Sequence, residues 1–96
     1  MIVPRQKQTL LVGQTLAAPG ALDALERAGQ TPADFVARHS NCDWGIVDDE
    51  DASLNDEALV NGARILSAYK TTLGVRLWII TEADRSATTI LLPSEY

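Results

Sequence analysis

Two apolar runs near the C-terminus form the clearest pattern in this chain. Residues 75–81 and 88–92 are rich in β-branched and aromatic side chains, and the polar residues 82–86 separate them. Such a pattern predicts two β-strands joined by a polar loop. A third run at residues 64–71 reaches the first of these strands through a turn at residues 72–74, so the C-terminal third predicts a three-stranded antiparallel meander.

The middle strand of this meander carries bulky side chains on both faces. Because side chains alternate along a strand, the odd-numbered residues 75–81 share one face, and Arg76, Trp78 and Ile80 share the other. We expect helices to pack on the first face and Trp78 to shield the second.

Short helices are predicted before the sheet, because each segment carries signals for a helix end. A Pro-Gly pair opens the first, a Thr-Pro-Ala-Asp sequence caps the second, and Gly62 ends the third. The predicted helices cover residues 21–28, residues 32–39, and a segment that is capped within residues 53–56 and runs through Val60.

The remaining segments connect these elements. Residues 1–7, which include Pro4, are predicted to be frayed, and residues 9–12 predict a short edge strand that can extend to Leu16. Trp44 lies in a predicted turn and should be buried. The acidic residues 48–51 are expected to form an exposed loop.

Length and composition indicate a single α+β domain over residues 1–96. The hydrophobic content of 46% suffices for one two-layer core, with short N-terminal helices packed on a C-terminal antiparallel sheet of three to four strands. No apolar run approaches the roughly 20 residues that cross a bilayer, and the first residues lack the apolar core of a secretory signal. We therefore expect a cytoplasmic protein that does not enter a membrane.

The side chains that usually bind metals are scarce or badly placed. Cys42 is the only cysteine and His39 the only histidine, which excludes an internal disulfide and a Cys/His zinc site. The acids from Asp49 onward fail the pattern of a calcium loop, because Leu54 stands where Gly is required and Val60 where Glu is required. We expect no metal and no cofactor.

Negative charge is concentrated in one segment. The chain has 13 acidic and 8 basic residues and a net charge of −5, and seven of the acids lie within residues 43–57, where no Lys or Arg occurs. Such a surface repels phosphate backbones and attracts basic proteins, so tight direct DNA binding is disfavoured. A solvated loop and a negatively charged helix start would show the same pattern. The seven acids are Asp43, Asp48, Asp49, Glu50, Asp51, Asp56 and Glu57.

Several motifs resemble those of small proteins carried on bacterial plasmids, integrative elements and phages. The resemblance covers nearly the whole chain and implies a role in the conflict or maintenance of mobile DNA, without any catalytic residues to carry over. The motifs are Pro-Gly-Ala-Leu at residues 19–22, Arg-His and Asp-Trp-Gly within residues 38–45, Asn-Asp-Glu-Ala-Leu at residues 55–59, Arg-Ile-Leu-Ser-Ala-Tyr at residues 64–69, and the most specific, Trp-Ile-Ile-Thr-Glu-Ala-Asp-Arg-Ser-Ala-Thr-Thr-Ile-Leu-Leu-Pro at residues 78–93.

The order of helices before an antiparallel sheet also resembles small metal-independent ribonucleases and toxins of the barnase type. Such enzymes need a general base, a general acid and cationic groups near the scissile phosphate. Without catalysis, a histidine at a helix end serves the helix dipole, and charged residues of a hairpin loop pair with each other. The candidate catalytic residues are Glu82 as base, His39 as acid, Arg64 or Arg85 as phosphate ligand, and Thr81, Thr88 or Thr89 as hydrogen-bond donors.

The leading hypothesis is a non-enzymatic, acidic protein-binding module of a mobile element. Its acidic segment would bind the positively charged groove of a nucleic-acid-handling host protein, as anti-CRISPR-like inhibitors of defence nucleases do by imitating a phosphate backbone. The ribonuclease-like enzyme is the second hypothesis. The third is an accessory subunit of a larger complex, which a contiguous apolar surface patch would reveal.

Overall fold

A computed structural model of the protein describes residues 9–96. The predicted α+β class is confirmed, since this part of the chain forms three helices and a four-stranded sheet. None of the described helices is long and apolar enough to cross a membrane. In chain order the elements are β1 (Gln14–Ala17), α1 (Pro19–Ala28), α2 (Pro32–Ser40), α3 (Asp49–Asn61), β2 (Ile65–Lys70), β3 (Arg76–Thr81), β4 (Ala87–Leu91) and a 3₁₀ turn (Pro93–Glu95).

The strands are arranged in the order β1-β4-β3-β2. The predicted meander is confirmed, because β2 pairs antiparallel with β3 and β3 pairs antiparallel with β4. The prediction of a wholly antiparallel sheet is wrong, because β1 pairs parallel with β4. A parallel pair requires a long crossover, and the chain from α1 to β3 provides one, since β1 enters the sheet before the helices.

The first strand lies later in the chain than predicted, although its edge position is confirmed. Residues 9–12 do not pair with the sheet; instead the Leu10 amide donates to the Ser40 carbonyl at the end of α2 (2.8 Å), and the Leu10 side chain is buried. Gly13 then turns the chain with a positive φ of 59°, so that β1 begins at Gln14. The prediction for residues 1–7 lies outside the described residues.

Helices α1 and α2 pack on the inner face of the sheet, as the alternation in β3 predicts. Leu77 and Ile79 are fully buried there in one cluster with Leu25 of α1 and Phe35 of α2. Trp78, on the outer face, is half-buried. A second apolar cluster lies beneath α3 and contains the predicted buried Trp44, which is 6% exposed.

The acidic residues 48–51 are not a loop, because α3 begins there. The Asp48 side chain accepts a hydrogen bond from the Asp51 amide (2.8 Å) and so caps the helix. The three acids of the first turn, Asp49, Glu50 and Asp51, stand where the helix dipole favours negative charge. The predicted cap within residues 53–56 therefore lies inside the helix.

The outer edge of β2 is covered by α3 and by the loop before it. The Asn55 side chain bonds both the carbonyl and the amide of Leu66, at 2.8 and 3.3 Å. Ala68 is bonded in the same way by the backbone of residues 44–46. Gly45 makes this approach possible, since a Cβ there would collide with the Ala68 carbonyl oxygen. Covering an edge strand prevents pairing with other chains and fixes α3 against the sheet.

Candidate functional site

The seven predicted partner-binding acids lie in three different environments. Two of them, although exposed, form hydrogen bonds with other side chains of the same protein. Asp43 forms a salt bridge with Arg38 (2.8 Å), and this bond holds the pKa of the carboxyl below its ordinary value. Asp56 accepts a hydrogen bond from the indole nitrogen of Trp44 (3.0 Å). These two acids stabilise the fold, so they are poor candidates for contacts with a partner.

Two further acids lie beside an open groove on the outer face of the sheet, which we call the sheet groove. It consists of two adjoining hollows of about 420 and 230 Å³ that share Asp51 and Leu66. Asp48 also lines the larger hollow, together with Trp78 of β3. The volumes fall near the range of about 300–1,000 Å³ typical of ligand sites.

The remaining three acids point to solvent. Asp49, Glu50 and Glu57 are exposed on α3, and within residues 9–96 none of them forms a salt bridge. A helix turns about 100° per residue, which brings Glu50 and Glu57 to the same side, opposite the buried Asn55, and places Asp49 about 100° from Glu50 around the helix. We call Asp49, Glu50 and Glu57 the acidic face of α3.

The C-terminal Tyr96 contacts two residues that line the sheet groove, Trp78 and Arg64. Glu95 accepts hydrogen bonds from the amides of Gly20 and Ala21 at the start of α1 (2.8 and 3.1 Å), and its bonds to backbone amides lower the pKa of its carboxyl. This contact places the Tyr96 ring against Trp78, with ring centres 5.7 Å apart. The Arg64 guanidinium lies over the Tyr96 ring, 5.7 Å from its centre. The predicted phosphate ligand Arg64 thus belongs to the outer face.

His39 lies at the centre of a buried chain of hydrogen bonds. Its Nδ1 is 2.5 Å from the Ser67 hydroxyl, and its Nε2 is 2.8 Å from the Thr81 hydroxyl. Thr81 is in turn 2.6 Å from the Thr88 hydroxyl, which donates to the Val12 carbonyl (2.7 Å). His39, Ser67, Thr81 and Thr88 are all 0% exposed.

The last bond of this chain determines the direction of all the others. Because Thr88 donates its only hydroxyl hydrogen to the Val12 carbonyl, it must accept from Thr81. Thr81 must then accept from His39, which fixes the neutral tautomer with hydrogen on Nε2. Nδ1 is left to accept from Ser67. Every buried polar side-chain atom among the described residues has a partner.

Burial, with a smaller effect of a nearby positive charge, keeps His39 neutral. Desolvation is the larger cause and the nearby positive charge of Arg85 the smaller, and together they lower the pKa of His39 from 6.5 to about 4. A general acid has to reach the substrate. His39 is enclosed on all sides and holds its partners within the core, so this geometry does not support its predicted catalytic role.

The other predicted catalytic residues do not line an exposed cleft together with His39. Arg85 donates to the Ala58 and Ala63 carbonyls at the end of α3 (2.9 and 2.7 Å) and to the Glu82 carbonyl (3.2 Å). A cation at this position complements the helix dipole. Glu82 is exposed at the end of β3, whereas Thr88 belongs to the buried chain. The set therefore does not converge on one cleft.

Three important residues are absent from the predicted sites. Asn55 and Ser67 have only long-range partners, and their neighbours in sequence carry no signal for these contacts. Trp78 does carry one, because strand alternation places it on the face away from the helices. The candidate site that emerges is the acidic face of α3 together with the adjoining sheet groove.

No three His, Cys, Asp or Glu side chains within residues 9–96 are grouped so that they could hold a metal ion. Comparison of the chain with protein families, with curated proteins and with solved structures finds no match.

Proposed function

We propose that this chain is a small acidic protein-binding module whose α3 binds a positively charged surface of a nucleic-acid-handling protein. The observation that carries the proposal is the acidic face of α3. Its three carboxylates are exposed, and no salt bridge within residues 9–96 neutralises them. Their field is therefore available to attract a basic partner and to orient it during encounter.

The way α3 is held supports a binding role. Asp48 caps its first turn, Arg85 binds its last carbonyls, and Asn55 ties its middle to β2. Charges on a helix that is fixed at three points lose little conformational entropy when a partner binds. The acidic face is thus presented in a preorganised arrangement.

The charge of this surface also indicates the class of partner. The exposed carboxylates of the acidic face repel DNA and RNA, but they complement the Lys- and Arg-rich surfaces with which proteins bind phosphate backbones. Given also the resemblance to proteins of mobile elements, we propose that the partner is a host defence nuclease and that this chain inhibits it, for example in an anti-CRISPR-like manner. Competition between the acidic face and the nucleic acid would be the mechanism.

Affinity capture from a lysate of the host tests the proposal. The purified protein is immobilised, and the proteins that it retains at low salt and at high salt are identified by mass spectrometry. We expect a basic nucleic-acid-binding protein that is retained at low salt and released at high salt, because salt screens exposed charges. Retention of acidic proteins only, or retention that salt does not change, would contradict the proposal.

A further inference from the structure

The sheet groove has an apolar floor and an exposed apolar rim. Trp78 and Leu66 line the floor. Ile46 and Leu54, which line its two hollows, leave 49% and 55% of their surfaces exposed. The long aliphatic stem of a Lys or Arg side chain packs well on such a surface, and its charged end interacts favourably with an indole ring.

Opposite charges line the two sides of this floor. Asp48 and Asp51 lie on the α3 side, and Arg76 lies on the sheet side of the larger hollow. Within residues 9–96 Arg76 forms no salt bridge with either aspartate. The groove thus offers carboxylates to a positive group and a guanidinium to carbonyl oxygens, and an extended peptide with a basic side chain carries both.

We propose that the sheet groove binds an extended peptide segment of the partner through one Arg or Lys side chain. The head group of that side chain lies between Asp48 and Asp51, its stem packs on Trp78 and Ile46, and the adjoining peptide carbonyls face Arg76. This inference rests on the proposed function, since it identifies the part of the basic partner that the protein recognises.

Charge favours a peptide over a single nucleic-acid strand as the occupant. A nucleic acid would also find an aromatic ring and arginines in the groove. Its phosphates, however, would lie beside Asp48 and Asp51, and the segment that carries these carboxylates, residues 43–57, has no Lys or Arg to release counterions. A peptide segment with one positive charge meets no such repulsion.

Binding of defined peptides provides the test. The probe is an acetylated and amidated nonapeptide of alternating Thr and Val, which favours an extended chain, with a central Arg. Counterparts carry Lys, norleucine or Glu at the centre, and a single-stranded oligouridylate is the nucleic-acid probe. Each is titrated into the ¹⁵N-labelled protein, and amide and indole shifts give the affinity and the location.

We expect the Arg and Lys peptides to shift the signals of Leu66 and the Trp78 indole, and to bind more tightly than the norleucine and Glu peptides. Asp51→Asn should weaken the Arg peptide by at least about fivefold. Glu26→Gln removes the same charge from an exposed position of α1, on the other side of the sheet, and should leave peptide binding unchanged. Trp78→Leu, which keeps an apolar side chain in β3, should weaken the Arg and norleucine peptides alike.

Three results would overturn the inference: equal binding of the Glu and Arg peptides, equal effects of Asp51→Asn and Glu26→Gln, or shifts in the groove with oligouridylate alone. Failure of the proposed function would look different, because a partner protein would then still bind when the charges of the acidic face are reversed. If this charge reversal abolishes partner binding while Asp51→Asn and Trp78→Leu do not affect it, the acidic face is the binding surface and the groove is not a binding site.

Discussion

His39 donates a hydrogen bond to Thr81 from Nε2 over 2.8 Å, and this bond connects the end of α2 to the end of β3 inside the core. The bond lies in a polar seam between the two apolar clusters, one beneath α1 and α2 and one beneath α3. A buried seam of this kind is favourable only while every member has its partner. Four predictions follow from this seam and from the contacts that fix α3.

Stability should fall in mild acid because of His39. The unfolded imidazole binds a proton near pH 6.5, whereas the folded one does so only near pH 4. The contribution of His39 to stability is therefore complete above pH 6.5 and is lost as the pH falls toward 4, by about 2 kcal/mol between pH 7.5 and pH 5. Urea unfolding at both pH values measures this loss.

His39→Gln provides the control for this pH effect, since glutamine keeps a donor and an acceptor but does not titrate. The variant should be less stable at both pH values, and its stability should change much less between them. The stability contributed by carboxyls with lowered pKa, such as Asp43 and Glu95, is also lost as the pH falls, but at lower pH than that of His39. If the unfolding free energy of the variant changed as much between the two pH values as that of the wild type, His39 would not be the group responsible.

Thr88→Val should be strongly destabilising although it conserves the shape of the side chain. It removes the donor to the Val12 carbonyl and the acceptor for the Thr81 hydroxyl hydrogen, and an unmet buried donor or acceptor costs about 1–3 kcal/mol. Thr89→Val makes the same change on the outer face of the same strand and should alter the unfolding free energy by less than about 0.5 kcal/mol. Similar losses of unfolding free energy in the two variants would contradict the role of Thr88 in the buried chain of hydrogen bonds.

Asn55→Ala should expose the edge of β2. The change removes both bonds to Leu66, and we expect a loss of about 1–2 kcal/mol in unfolding free energy together with faster hydrogen exchange at the Leu66 amide. Ser53→Ala, an exposed change on the same helix, is the matched control. Unchanged exchange at Leu66 would contradict the role given to Asn55.

Arg85→Lys should weaken the end of α3. The guanidinium reaches two carbonyls of that segment at once, and an ammonium group lacks this forked geometry. We expect a loss of about 1 kcal/mol and no comparable loss for Arg76→Lys on the sheet face. Unchanged stability of Arg85→Lys would show that the contacts of Arg85 with the end of α3 do not stabilise the fold.

Local patterns were sufficient to predict most elements of the fold. Alternation identified the meander, and the Thr31–Asp34 capping pattern forms as expected, with the Thr31 amide donating to Asp34 (2.9 Å). Two predictions failed for identifiable reasons. Asp48 and the residues around Ser53 both offer a helix cap, and the helix dipole favours the earlier one because acids fill the first turn. The pairing of β1 depends on a long crossover, which has no local signal.

The candidate site was predictable in composition but not in geometry. The acidic segment is visible in the sequence, yet its division into internal contacts, groove walls and the acidic face depends on how α3 is rotated. The partners of His39 lie 28 and 42 residues away along the chain. Only the packing of α2 on the sheet brings them together, so sequence position alone suggested a helix-end or catalytic histidine.

Binding to a captured basic partner tests the central claim most directly. Wild-type protein is compared with an acidic-face variant, Asp49→Lys with Glu50→Lys and Glu57→Lys, which leaves the Asp48 cap intact. The matched control, Asp23→Lys with Glu26→Lys and Glu82→Lys, changes the net charge by the same amount on other exposed positions. Thermal unfolding of all three proteins establishes that they remain folded.

The dissociation constant and its salt dependence are then measured for each protein. We predict that the acidic-face variant loses binding and salt dependence, while the control variant binds the partner within a few-fold of the wild type. Equal loss in the two variants would reduce the effect to net charge alone. Undiminished binding by the acidic-face variant would contradict the proposal that α3 is the surface through which this protein acts.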